Sequence, residues 1–140
     1  MKQSIDTVSI SHELALHIAT VAIDEGAKAG LPVAVTIVDP ALALVAYVRA
    51  DGITPHSVET SRRKAQTAAS TRRPTGWMQG ELASALPSGT GGLLTNIKGG
   101  VPLRFDGKLL GGLGIAGGAP DQDAEVARAV LAVVGADPVD

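Results

Sequence analysis

Between Gly99 and Gly118 the chain reads GGVPLRFDGKLLGGLGIAGG, a stretch dense in glycine and flanked by ordinary aliphatic sequence. No other segment restricts the fold as strongly. VPLRF, then Asp106-Gly107, then KLLGGLGIA is the clearest hairpin signal in the chain, because Asp-Gly favours the positive φ angles of a two-residue turn. A strand carrying Gly111, Gly112 and Gly114 lacks the side-chain bulk that holds neighbours off, so another backbone, a helix or a ligand can come close.

Gly112 to Gly117 also spells G-x-G-x-x-G, the fingerprint of a dinucleotide-binding loop. That loop needs a strand before it, a helix opening within it and an acidic residue about 20 positions on, all inside a βαβ unit. The strand is present, and Asp137 lies near the required offset. However, the helix pattern starts only at Pro120-Asp121, and no second parallel strand follows up to Asp140. NAD is therefore not expected.

With 140 residues, 45% hydrophobic and 19% charged, the chain suits one ordered domain spanning residues 1–140. The net charge of −2 argues against nucleic acid as a partner, and the lack of cysteine excludes disulfides and thiolate chemistry. No apolar run is long enough to span a membrane and the first ten residues lack a signal-peptide core, so a cytoplasmic place is expected. Aromatic residues number only three, Tyr47, Trp77 and Phe105, which leaves Leu, Val, Ile and Ala to build the core.

Helical spacing of Leu14, Ile18, Val21 and Ala22 predicts a first helix from about Ser11 to Lys28, ended by Gly30 and Pro32. PVAVTIVD and LALVAYVR read as two strands joined by a short connection at Pro40. A second helix is expected from Thr54, with Pro55 in its first turn, to about Thr71. PTGWMQGELASAL reads as a shorter helix, Leu93 to Asn96 as a weak strand, and Asp121 to Val134 as the last helix before Gly135. This order predicts an α+β domain with a mainly antiparallel sheet and helices packed on it.

GGVPLRFDGKLLGGLGIAGGAPDQDAEVARAVL resembles the C-terminal half of the GlcG/HbpS family of haem-binding and haem-degrading-like proteins, which includes the C-terminal domain of PduO-type cobalamin adenosyltransferases. Upstream, Arg49, Asp51 and Gly52 match the family's Arg-x-Asp-Gly segment, and Lys64, Ala65, Thr67 and Ala68 match its Lys-Ala-x-Thr-Ala helix. Gly99-Gly100-Val101-Pro102, Gly107, Gly111, Gly114, Gly117 and Gln122-Asp123 follow in family order. The resemblance implies a profilin-like layered fold with a five-stranded, mainly antiparallel sheet flanked by helices, and homo-oligomers. It also makes Gly99, Gly100 and Pro102 ligand-binding candidates. The chain departs from the family at Pro40-Ala41-Leu42, where a Gly-rich turn is usual, at Ala116 in place of serine and at Ile53 in place of alanine. Where these positions border the ligand, the pocket is more apolar.

Haem needs an axial ligand, an apolar slot and cations for its propionates. His12 and His17 are five positions apart on one helix and cannot face the same iron. His56, at the start of the second helix beside Arg49, is the candidate metal ligand and ligand-binding residue; an exposed first-turn histidine is the plainer alternative. Met78 beside Trp77 is a packing residue or a soft ligand. Ser57, Ser61, Lys64 and Ala68 share one stripe of the second helix. Lys64 there is either a snorkelling lysine or a partly buried amine that binds a carboxylate or acts as a base. Asp39, at a strand end, is a candidate general base or a turn cap. Arg62, Arg63, Arg72 and Arg73 form a basic surface around the second helix.

Two functions fit these residues. In one, a homo-oligomeric protein binds, senses or helps degrade haem, with His56 as axial ligand and Arg49 and Lys64 as propionate partners. In the other, a cofactor-independent isomerase, lyase or hydratase acts on a small oxygenated or carboxylated metabolite, with Lys64, Arg49 and Asp39 or His56 as catalytic residues.

Overall fold

The computed structural model describes residues 1–139. Helix α1 (His12–Lys28) is followed by strands β1 (Ala34–Val38) and β2 (Leu44–Arg49), then helices α2 (Ser57–Thr71) and α3 (Leu82–Gly89). Strands β3 (Gly100–Phe105) and β4 (Lys108–Ala116) and helix α4 (Pro120–Val134) complete the order. The strands form one antiparallel sheet in the order β2-β1-β4-β3, with α2 against one face and α1 and α4 against the other.

Among the described residues the sheet has four strands rather than the expected five. Leu93 to Asn96 forms no ladder, because its backbone is bound by side chains instead. Gln66 Nε2 donates to Leu93 O at 2.8 Å, Leu94 N donates to Thr90 Oγ1 at 3.3 Å and Thr95 N to Thr67 Oγ1 at 2.8 Å. The helix expected over PTGWMQGELASAL is also reduced to α3, since Gly76 and Gly80 take positive φ of 100° and 59° ahead of it. Helix α2 starts at Ser57, three residues beyond Thr54, after a turn in which Ser57 N donates to Thr54 O at 3.0 Å.

Local chemistry accounts for the elements that match. Ser11 caps α1 by accepting from Leu14 N at 3.1 Å, and Lys28 in its last turn pairs with Glu25. Asp106 and Gly107 both have positive φ, 52° and 78°, as a tight β3-β4 turn requires. The first hairpin shows the consequence of its non-glycine turn: Leu42 sits at φ +70°. Its side chain packs against Val38, Ala65 and Ala69, and that burial offsets a backbone conformation that a branched residue seldom adopts.

The glycines of β3 and β4 position α2. Gly100 pairs with Gly114, Pro102 with Gly112, and Gly114 with Thr36 across the ladder, so these residues share the α2 face. A Cβ on Gly100, Gly112 or Gly114 would run into the carbonyl oxygens of Lys64, Ala65 and Ser61 respectively. Helix α2 therefore rests on bare sheet backbone. Thr36 and Ser61 hydroxyls meet across this contact at 2.7 Å, both buried. The opposite face presents Val35, Ile37, Val101, Leu103, Leu113 and Ile115 to Ile18, Ala22, Val126 and Val130 of α1 and α4.

Candidate functional site

Close seating of α2 carries Lys64 into the interior, with 2% of its surface exposed. Its ammonium donates to Ile115 O at 2.8 Å and to Asp123 Oδ2 at 2.9 Å, and Asp123 is equally buried. Asp123 lies in the first turns of α4, where the helix dipole favours a carboxylate, and its Oδ1 accepts from Gly118 N at 2.8 Å. Gln122 Oε1 reaches back to Ala119 N at 2.8 Å, so the start of α4 is closed by side chains. The pair ties α2, β4 and α4 together. Burial pushes the Lys64 ammonium below its ordinary range, and the hydrogen bond and charge of Asp123 oppose that shift. Gly99, at φ +125°, passes so close that a Cβ there would stand 2.9 Å from Lys64 Nζ.

Above this pair opens a concavity of about 280 Å³, lined among others by His56, Ser57, Lys64, Ile97, Ala116 and Pro120. The N-terminal ends of α2 and α4 converge on it. Ser57 is buried and shares a 2.7 Å hydrogen bond with the Thr54 hydroxyl, while His56 is exposed at the rim. Ile97 is 43% exposed beside it, so an apolar wall accompanies the imidazole and hydroxyls. Ala116, one of the two departures near this site, lies in the lining, and Ile53, the other, packs against Gly117. At both positions the wall is apolar.

The structure distributes the remaining candidates unevenly. Arg49 is exposed at the end of β2, in one cross-strand row with Ala34 and Ala116 and so two strand spacings, roughly 10 Å, from the concavity's edge. Asp39 is not brought to Lys64 or His56. Its Oδ1 accepts from Ala41 N at 2.8 Å and Ala43 N at 3.0 Å, which makes it the cap of the β1-β2 turn. Gly99 and Gly100 line a different hollow from His56, and Pro102 is buried in β3 opposite Gly112. His12 and His17 are exposed on α1, across the sheet. Among the described residues no group of three or more His, Cys, Asp or Glu is set to hold a metal ion. Asp123 is the functional neighbour that sequence reasoning missed as a partner. A lysine on the sheet-facing stripe of α2 needs a buried counter-charge, and that requirement was the available signal.

The family model of haem degrading proteins of the HbpS-like kind matches residues 10–132. The chain belongs to the HbpS-like family. This HbpS-like chain is also 34% identical to Protein GlcG of Escherichia coli strain K12 over 110 residues, covering 78% of this chain and 82% of GlcG. Among solved structures, HbpS superposes with a TM-score of 0.83 at 32% identity, covering 94% of each chain. A PduOC–haem complex superposes with a TM-score of 0.84 at 28% identity, covering 95% of this chain and all of that one. Klebsiella pneumoniae ORFY, at 22% identity and a TM-score of 0.86, shares the fold. No helix of the described residues in this HbpS-like protein is long and apolar enough to cross a membrane.

Proposed function

We propose that this HbpS-like protein binds haem at the mouth of the Lys64–Asp123 concavity and holds it for sensing or degradation, as a cytoplasmic homo-oligomer. The observation that carries the reading is His56: an exposed imidazole at the rim of an opening walled by Ile97, Ala116 and Pro120, in a family with a haem complex among its solved members. Haem asks for one nitrogen ligand, an apolar edge and cations for its carboxylates, and the mouth itself offers the first two. His56 would supply the ligand, and Arg49, roughly 10 Å from the concavity's edge, would meet only a propionate that extends beyond it. Lys64 keeps its ammonium on Asp123 and holds α2 against α4, so that His56 is presented at a fixed place. Bound haem would supply an iron centre for redox chemistry or for signalling its own presence.

A haemin titration followed by visible absorption tests this. The expected result is a saturable, shifted Soret band at one haem per subunit or per subunit pair, lost or displaced in His56→Ala. An unchanged band in that variant removes His56 as the ligand, and no saturable band overturns haem binding.

The second reading is a cofactor-independent enzyme for a small carboxylated metabolite. It is favoured by the small volume of the concavity, about 280 Å³, with Lys64 at its base and the hydroxyls of Thr54 and Thr60 in its lining. Turnover of such an acid that depends on His56 would support it in place of haem.

A further inference from the structure

Behind the Gly99–Lys64 wall lies a second hollow, of about 250 Å³, whose lining includes Arg73, Thr75, Trp77, Lys98, Gly100 and Arg128. Three exposed cations from three parts of the chain line it: Arg73 just past α2, Lys98 just before β3, and Arg128 on α4. Among the described residues the lining contains no carboxylate. Lys98 is paired at 3.0 Å with Asp121, but both side chains are exposed, 52% and 83%, so water screens that pair and leaves the lysine available. Arg73 is held in place by stacking on Trp77, its guanidinium carbon 3.6 Å from the ring centroid. The Trp77 indole N–H is buried and, among the described residues, has no hydrogen-bond partner. A buried donor of that kind calls for an acceptor. Thr75 fixes the floor by donating from its amide to Gly100 O at 3.0 Å and accepting from Gly100 N at 2.9 Å.

We propose that this hollow binds a small, doubly charged oxyanion, of the dicarboxylate or phosphate type. Converging guanidinium groups recognise planar or tetrahedral oxyanions through paired N–H bonds, and a lysine adds a point charge. The volume, about 250 Å³, has room for a compact ion. The site is separate from the His56 mouth, and its occupancy does not depend on haem.

Trp77 is the chain's only tryptophan, so its fluorescence reports on this hollow alone. The haem-free protein is titrated with inorganic phosphate and, separately, with succinate at constant ionic strength, with sodium chloride as control and calorimetry in parallel. A saturable one-site response to either ion, absent with chloride, is expected, and Arg128→Ala should weaken it at least tenfold. Response to phosphate alone or to succinate alone assigns the class. His56→Ala should leave the titration unchanged while it alters the Soret band, which separates failure of this inference from failure of haem binding. No saturable heat or fluorescence change with either ion, or wild-type affinity retained in both Arg128→Ala and Lys98→Ala, overturns the proposal.

Discussion

The two faces of the sheet are held by different physics. On the α1 and α4 side, interlocking aliphatic side chains such as Ile18, Ile37, Leu113, Ile115 and Val130 fill the space. On the α2 side the buried apolar cluster is only Val38, Ala65 and Ala69, and adhesion comes from helix backbone on glycine backbone, one hydroxyl pair and one ion pair. The first face derives its stability from buried apolar area and absorbs small changes of volume. The second leaves no room for a Cβ where α2 crosses Gly100, Gly112 and Gly114, and its buried polar groups must be matched. The proposed haem mouth and the anion hollow both open along the second face, where α2 is fixed with least tolerance.

The largest break in this comparison is expected from Lys64→Met. It leaves Asp123 buried with only the Gly118 amide, and should destabilise the fold by about 3–5 kcal/mol in denaturant titration. The double change Lys64→Met with Asp123→Leu should recover much of that loss, because the uncompensated charge is gone. A double variant no better than the single one would mean that the pair does more than satisfy itself.

Next comes a matched test of the two faces at adjacent residues. Gly114→Ala adds one methyl against Ser61 O and should cost about 3 kcal/mol, at the upper end for overpacking. Ile115→Val removes one methyl on the opposite face and should cost about 0.5–1.5 kcal/mol. Equal costs by the same denaturant titration would erase the distinction.

The smallest effect is a pH slope. Burial holds the Lys64 ammonium below its ordinary value of 10.5, so between the lowered value and 10.5 the unfolded chain binds the extra proton. Stability contributed by this group therefore rises with pH through that window and is flat below it. The melting temperature of the wild type minus that of Lys64→Met should widen as pH approaches 10.5. A difference that narrows instead would show that attraction to Asp123 outweighs the cost of burial.

Much of this molecule was legible as local chemistry. Ser11 at a helix start and Asp106-Gly107 in a turn each act through neighbours a few residues away, and the shared stripe of Ser57, Ser61, Lys64 and Ala68 follows from the helical period alone. Leu93 to Asn96 has the apolar look of a strand, yet α2 side chains claim its backbone, and no local pattern encodes that competition. Asp39 looks the same in sequence whether it is a base or a turn cap, and its 2.8 Å bond to Ala41 N places it in the turn.

By itself, then, the sequence determined the helix and hairpin periods, the absence of thiol chemistry and the glycine-bare strand pair, since these follow from composition and short-range sterics. Tertiary structure alone decided that Lys64 meets Asp123 across 59 positions, that four strands form rather than five, and that Arg73, Lys98 and Arg128 surround one hollow. Charge pairing and desolvation act through space, and distance in space is set by how α2 settles onto its glycine floor.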